Sequence, residues 1–246
     1  VLHCLLAVFL GFNIIFNHWA CACTPAVYPS INCTSVNTSA HPSPRVVQGS
    51  PPVDVHRDAA EVFGDLSYRF CKKCKNVKPP RAHHDSVTGK CVYEMDHFCP
   101  WMNNVVGYNN YRYFLMFLLY LLLGCIYCIY LSCGRFLDLR NSGRRMKFSY
   151  DSPLNLDSAM IFVFTITLSG LISVSILLGW HIYLTLTNQT TIEFYINAAD
   201  RLEARGTGEV FKNPYDLGWR KNIRRVFGDS PWYLATLPSV REPPDP

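Results

Sequence analysis

Seven residues between Cys71 and Cys99 have the types and the spacing for chemistry. Cys71, Cys74, His84 and Cys91 come first, and Asp96, His97 and Cys99 follow in the order Asp-His-x-Cys. Two thiolates two residues apart can grip one ion while backbone amides support the sulfurs, so Cys71-x-x-Cys74 reads as a zinc knuckle. His84 and Cys91 would complete a closed, tetrahedral Cys₃His set of the structural kind. A redox pair is the other use of Cys-x-x-Cys, but the histidine and third cysteine that follow so soon favour zinc. Cys99 lies outside this tetrad. A thiol reacts as its thiolate, and a neighbouring histidine can take the proton or stabilise the charge. Asp96 could orient the His97 ring as the third member of such a group, given a turn, and Pro100 beside Cys99 is consistent with one. On these residues alone, Asp-His-x-Cys fits a second zinc site as well as an activated thiol.

The elements that must position these groups are mostly apolar. Residues 113–133 contain no charged side chain and exceed the ~18 needed to cross a bilayer. Residues 158–187 contain none either, with His181 the one titratable imidazole, and their length allows tilt or an extension into water. Residues 1–19 form a third apolar run that begins without an initiator Met or a basic flank, which suggests a fragment entering partway through a helical hairpin. A signal peptide is the competing reading, because Ala20-Cys21-Ala22 mimics a cleavage site. The expected organisation is therefore a span at 1–19, a linker at 20–64, a cysteine-rich domain at 65–112, a span at 113–133, a loop at 134–157, a span at 158–187 and a C-terminal cytosolic segment at 188–246.

Composition supports that frame. The chain has 246 residues and a net charge of +5, with no basic stripe interleaved with aromatics, so an anionic leaflet is a better partner than nucleic acid. Of eleven cysteines, Cys4, Cys125, Cys128 and Cys133 lie in apolar runs, where a free cysteine behaves as a small hydrophobe. Cys21, Cys23 and Cys33 sit near a membrane end and are either acylated or unmodified. Asn32, Asn37 and Asn188 begin N-x-S/T sequons, a weak signal in sequence rich in Ser, Thr and Asn. Lysine and arginine flank both sides of the 113–133 run, so the positive-inside rule is ambiguous. The need for reduced thiols places the cysteine-rich stretch on the cytosolic side. Further on, Ile192, Tyr195, Ile196, Ala199 and Leu202 recur at helical spacing over 191–205, ended by Gly206 and Gly208, and Asn213-Pro214-Tyr215 marks a turn. Arg220, Lys221, Arg224 and Arg225, interleaved with Trp219, Ile223, Val226 and Phe227, suit either a helix at the lipid surface or an ordinary solvated face.

The central stretch resembles the cysteine-rich domain of the DHHC protein S-acyltransferases (palmitoyltransferases), integral-membrane enzymes that carry it between their second and third spans. The matching pieces are Lys78-Pro79-Pro80-Arg81, His83-His84, Met95-Asp96-His97, Cys99-Pro100-Trp101, Asn103-Asn104, Gly107, Asn110 and Tyr111-Arg112-Tyr113-Phe114. Thr190-Thr191-Ile192-Glu193 is similar to the family's TTxE motif, and Val210 to Tyr215 to its Asn-Pro-aromatic motif. The C-terminal wording is similar to the branch with an Abl-interacting, endoplasmic-reticulum member. The resemblance implies an α-helical integral membrane protein with three spans here and four in the full chain, in the endoplasmic reticulum or Golgi. It further implies that Cys99 accepts a fatty acyl group from palmitoyl-CoA, with His97 as base and Asp96 as its orienter, before transfer to a cysteine of a membrane-associated protein. A sixteen-carbon chain carries roughly 12 kcal/mol of transfer free energy at ~0.8 kcal/mol per methylene, so a cavity among the helices would suit it. Phe114, Phe117, Tyr120, Tyr127, Phe162 and Phe164 are candidates to line one, although packing or lipid contact explains each ring as well.

One departure matters. The family pattern has two interleaved zinc sites; the first maps to Cys71, Cys74, His84 and Cys91, while the second maps to Asp85, Thr88, Phe98 and Val105, none of which is a Cys or His. The expectation is a DHFC variant that binds one zinc, with Phe98 and Val105 packing where metal would cross-link the fold. The rival readings are a non-catalytic membrane scaffold of the same fold and a membrane-anchored zinc protein such as a ubiquitin ligase, which needs eight ligands.

Overall fold

The computed structural model describes residues 1–26, 69–141 and 156–240, which fall into two compact units. The helical unit comprises Val1–Ala20, Arg112–Asn188 and Tyr215–Pro246, and the cysteine-rich unit comprises Cys21–Tyr111 and Gln189–Pro214. The expected sequons Asn32 and Asn37, and Cys33, lie outside the described residues.

Among the described residues, three helices are long and apolar enough to cross a membrane. Helix α1 runs Leu2–Cys23, α2 Tyr111–Asn141 and α3 Leu156–Leu186. In the helical unit α1 and α2 are antiparallel: His3 stacks on Tyr127, Phe9 meets Tyr120 edge-on and His18 meets Phe117. A Cβ on Gly124 would come within 3.2 Å of the Ile14 side chain, so the small residue permits this approach. Helices α2 and α3 are also antiparallel, since Phe136 stacks on Phe164 at 4.0 Å and Phe114 meets His181 at 4.9 Å. These contacts explain why α2 outlasts its charge-free run: Phe136 gains a ring partner, and Arg135 pairs with Asp157 at 2.8 Å. At 1.5 Å per residue α2 is ~46 Å long, more than the ~30 Å of hydrocarbon. Helix α3 exposes Phe162, Ile166, Ile172 and Ile176. Its hydroxyls fold back on carbonyls of the preceding turn, as Thr165 does on Ile161 and Ser173 on Ser169, leaving an apolar face suited to lipid.

Among the described residues, the cysteine-rich unit has three antiparallel hairpins and a helix. Strand β1 (Arg69–Cys71) pairs with β2 (Asn76–Lys78), β3 (Ala82–Asp85) with β4 (Lys90–Tyr93), and β5 (His97–Cys99) with β6 (Asn104–Val106). Strands of three or four residues cannot bury a core by themselves. Ala26, Val92, Met95 and Val105 form one small buried cluster, extended by Phe98 and by Ile192 of α4 (Thr191–Thr207). Gly107 lies against that cluster, and a Cβ there would meet the Val92 side chain at 2.7 Å and the Tyr93 carbonyl at 3.1 Å. The second contact is backbone and cannot rotate away, so Gly107→Ala should destabilise by about 1–3 kcal/mol, read as a lowered melting temperature.

The helix expected over 191–205 is present as α4. Its apolar residues divide: Ile192 packs on the cluster, while Tyr195 and Leu202 are each 68 % exposed, and Glu193 and Asn197 are buried. Polar partners hold this helix alongside the Ile192 contact. Asn188 of the third sequon is buried, and its amide donates to the Tyr215 carbonyl at 2.6 Å. Beyond it, Asn222 of α5 (Trp219–Phe227) donates to the Leu186 carbonyl at 2.7 Å, which pins α5 to the end of α3. A short final helix, α6 (Trp232–Ala235), leads into carbonyls held by α2: Arg112 bonds to Ala235 and Ser239, and the Tyr120 hydroxyl to Thr236.

Candidate active site

Hairpin geometry brings the expected tetrad together. Cys71 ends β1 and Cys74 lies in the turn that follows, where its amide donates to the Cys71 sulfur at 3.4 Å. His84 and Cys91 are directly opposed across β3 and β4. His84 Nδ1 is 3.5 Å from the Cys71 sulfur, 3.2 Å from Cys74 and 3.9 Å from Cys91, and the Cys74 and Cys91 sulfurs are 3.6 Å apart. A tetrahedral ion with bonds of ~2.3 Å to sulfur and ~2.05 Å to nitrogen requires edges of about 3.8 Å and about 3.6 Å, so the donors are spaced for one small cation. Their acidities agree. Burial opposes ionisation of Cys71, but the Cys74 and Lys73 amides and the neighbouring thiols outweigh it and lower its pKa to about 7. Cys91 is pushed up to about 12 by burial and by Cys71 and Cys74. Three sulfurs this close do not all ionise without a cation between them. The donor set fits a closed structural metal centre.

The four positions expected to lack a second metal are occupied by other interactions. The Asp85 carboxylate accepts from the Thr88 amide at 2.6 Å and the Thr88 hydroxyl at 2.7 Å. Burial raises its pKa, but these bonds win and hold it below the ordinary carboxylate range. Phe98 and Val105 are cross-strand partners of β5 and β6, and both belong to the apolar cluster. A hydrogen-bonded turn and an apolar pair thus stand where four ligands would.

Asp96, His97 and Cys99 lie on β5 and the residue before it. The turn that closes the hairpin is built by Met102 donating to the Cys99 carbonyl and Asn103 to that of Pro100, with Asn103 at φ 48°. Asparagine tolerates that left-handed conformation better than other non-glycine residues. His97 and Cys99 are two apart on a strand, so their side chains share a face and form a hydrogen bond. Asp96, 2 % exposed, accepts from His97 Nδ1 at 2.7 Å. Burial would lower the His97 pKa, but Asp96 and Cys99 raise it to about 9. Burial would raise that of Cys99, yet the bond from His97 and the amides of Met102 and Trp101 bring it below the ordinary thiol value. The two shifts run in the same sense, favouring an imidazolium at His97 and a thiolate at Cys99.

What holds Asp96 was visible only as a motif. Thr191, the first residue of α4, donates its amide to Asp96 Oδ1 at 2.7 Å and its hydroxyl to Oδ2 at 3.0 Å. Thr190 caps the helix and Glu193 reaches back to the Thr190 amide at 2.9 Å, a capping box written in Thr-x-x-Glu. Glu193 has a second task. Arg81 grips both of its oxygens, at 2.7 and 2.8 Å, and also pairs with Glu94. Arg81→Met would leave the buried Glu193 and the partly buried Glu94 without their cation, at a cost of about 3–5 kcal/mol. It should lower the melting temperature and loosen the hold of Thr191 on Asp96. On the far side, Asn104 faces Cys99 across the hairpin and donates to the carbonyls of Cys21, Ala22 and Thr24 at the end of α1, and Asn110 joins it at Cys21. Asn104 and Asn110 have no metal or acid–base chemistry to announce them.

The aromatic residues considered for an acyl cavity have other engagements in the helical unit. Phe114 is packed on His181, Phe117 on His18 and Phe164 on Phe136, while Tyr120 and Tyr127 spend their hydroxyls on the Thr236 and His3 carbonyls. Phe162 is 65 % exposed on α3.

Comparison with known proteins bears on the same residues. Residues 65–198, from the cysteine-rich unit through α2 and α3 into α4, match the family described as DHHC palmitoyltransferase. The chain is 41 % identical over 165 residues to probable protein S-acyltransferase 16 of Arabidopsis thaliana, covering 67 % of this chain and 55 % of that protein. It is 34 % identical over 176 residues to palmitoyltransferase ZDHHC2 of Mus musculus, covering 70 % and 44 % respectively. With probable protein S-acyltransferase 15 of Arabidopsis thaliana it shares 37 % over 180 residues, or 72 % and 67 %. The matches cover about half the length of the first two of these relatives. With its helices of membrane-spanning length and the Cys71, Cys74, His84 and Cys91 cluster between them, the chain belongs to the DHHC palmitoyltransferase family.

Proposed function

We propose that the protein is a protein-cysteine S-palmitoyltransferase in which Cys99 is the nucleophile, His97 the acid–base and Asp96 its orienter. The observation that carries this reading is the Asp96–His97–Cys99 relay, with Asp96 and Cys99 buried, His97 partly exposed and Asp96 fixed from behind by Thr191. The Cys99 thiolate attacks the thioester carbon of palmitoyl-CoA, the bond to the CoA sulfur breaks, and the leaving thiolate takes the proton of the His97 imidazolium. His97, now neutral, removes a proton from the thiol of a membrane-associated protein. That thiolate attacks the Cys99 thioester, and Cys99 leaves as thiolate facing a recharged His97. Cys71, Cys74, His84 and Cys91 hold one zinc per chain, which supplies structure: it fixes β1 to β4 and so the frame on which β5 is built. The thiol chemistry needs a reducing compartment, which favours an active site facing the cytosol from an endoplasmic-reticulum or Golgi membrane.

Labelling with a fatty-acyl-CoA probe tests the assignment. The wild-type protein should take up label that hydroxylamine removes, Cys99→Ala should take up none, and His97→Ala should label about 10²–10⁴-fold more slowly. Undiminished labelling of Cys99→Ala would rule out the nucleophile. No labelling of a folded, metal-loaded wild-type protein would favour the non-catalytic scaffold.

A further inference from the structure

Helix α5 carries Arg220, Lys221, Arg224 and Arg225 and no acid. It is fixed where two candidate spans meet water. Asn222 ties it to the Leu186 carbonyl at the end of α3, and Phe227 packs on the cluster of Leu10, Met116 and Tyr120 near the start of α2. Between α5, the 228–230 turn and Ala235–Thr236 lies a cavity of about 520 Å³. That is within the ~300–1,000 Å³ of ordinary ligand sites. Its apolar lining comes from Met116, Trp219, Ile223 and Phe227, and its cations are Arg220 and Arg224. The Arg220 guanidinium lies over the Trp219 ring, 5.0 Å from its centre. Asp229 also lines the cavity, 3.6 Å from Arg224, but both side chains are exposed, and such a long, solvated pair yields readily to a better anion.

We propose that this cavity binds one anionic phospholipid of the leaflet at the α5 end of the spans, with its phosphate between Arg220 and Arg224 and its first acyl methylenes against Met116, Ile223 and Phe227. The lining selects this class because it requires a negative charge and a hydrocarbon chain in one ligand, delivered at headgroup depth. An acidic peptide or a nucleic acid brings the charge without the chain, and a zwitterionic lipid brings the chain without net charge. Tryptophan beside arginine at the end of a span is the composition that membrane–water boundaries favour.

The test uses the whole protein in detergent, with phosphatidylserine as the anionic probe and phosphatidylcholine of the same chains as the neutral one. Native mass spectrometry should show a retained phosphatidylserine adduct and no equivalent phosphatidylcholine adduct. Arg220→Gln with Arg224→Gln should weaken it about thirty-fold, two cations being lost near an anionic surface. Phosphatidylserine brominated in its upper chain should quench fluorescence in the wild-type protein, and Trp219→Phe should remove most of that quenching. This second readout stands even where the double variant fails to fold. Equal retention of both lipids, quenching that survives Trp219→Phe, or an affinity unmoved in a folded double variant would overturn the proposal. So would displacement by soluble glycerophosphoserine at matched concentration, because the chain would then contribute nothing. Displacement by palmitoyl-CoA at stoichiometric amounts would assign the cavity to the acyl donor instead.

Discussion

Asp96→Asn should lower the rate of Cys99 acylation by roughly 10³–10⁴ while the protein stays folded and keeps its metal. The size follows from what surrounds Asp96. The Thr191 amide donates to Oδ1, so a carboxamide must keep its oxygen there and turn its NH₂ toward His97 Nδ1. His97 then has to accept at Nδ1 and carry its proton on the other nitrogen, the one left for Cys99. A ring in that tautomer cannot take a proton from a thiol. Loss of the carboxylate also removes a cause of the elevated His97 pKa of about 9, so the imidazolium becomes neutral at lower pH. With less positive charge beside it, Cys99 loses what outweighs its burial, and its pKa rises. The sign is testable by alkylation. In the wild-type protein Cys99 should react with iodoacetamide below the ordinary thiol pKa of ~8.5 and slow as acid protonates it. In Asp96→Asn the same curve should move to higher pH. A curve that stays in place would mean that the amides of Met102 and Trp101, not His97, hold the thiolate.

Removal of the metal should have the other large effect. Structural zinc contributes about 10–16 kcal/mol in comparable small sites, as much as the ~5–15 kcal/mol that keeps a whole domain folded. Cys74→Ala, or a strong chelator, is therefore expected to unfold the cysteine-rich unit and abolish acylation together, seen as loss of β structure and protease resistance. The other set of four positions should behave differently. Phe98→Ala should cost about 3–5 kcal/mol with or without chelator, because it acts through packing with Val105 and the Val92–Met95 cluster. Asp85→Ala strips two hydrogen bonds from Thr88 and should cost about 1–3 kcal/mol. Two zinc ions per purified chain would contradict the reading that this half of the unit is metal-free.

The contrast shows where sequence is legible. Charge-free runs and ligand spacing announce themselves, because lipid excludes charge and a tetrahedral ion needs four particular side chains. The spans and the Cys71–Cys91 tetrad were readable for that reason. The supports of Asp96 were not. Thr191 and Glu193 act through a capping box across more than ninety positions of chain, and Arg81 makes a pair whose partner only the fold can name. The periodicity of α4 marks a helix but not its buried face, because Tyr195, Ile196 and Leu202 are outward, Ile192 meets the apolar cluster, and the buried polar contacts are Glu193–Arg81 and Asn197–Gln189. Hydrophobic period locates the core face only where burial is apolar. The end of α2 was hidden by a related effect: Phe136 and Arg135 extend the helix through tertiary partners that a charge count reads as a stop.

The acyl-enzyme itself is the most direct test. Purified protein pulsed with palmitoyl-CoA and examined by native mass spectrometry reports metal and acyl group on the same molecule, and peptide mapping then locates the acyl group. The expected result is one zinc and one palmitoyl group per chain, the latter on Cys99 and removed by hydroxylamine. A zinc-loaded, folded protein that carries no acyl group, or carries it on another cysteine while Cys99 remains free, would contradict the account.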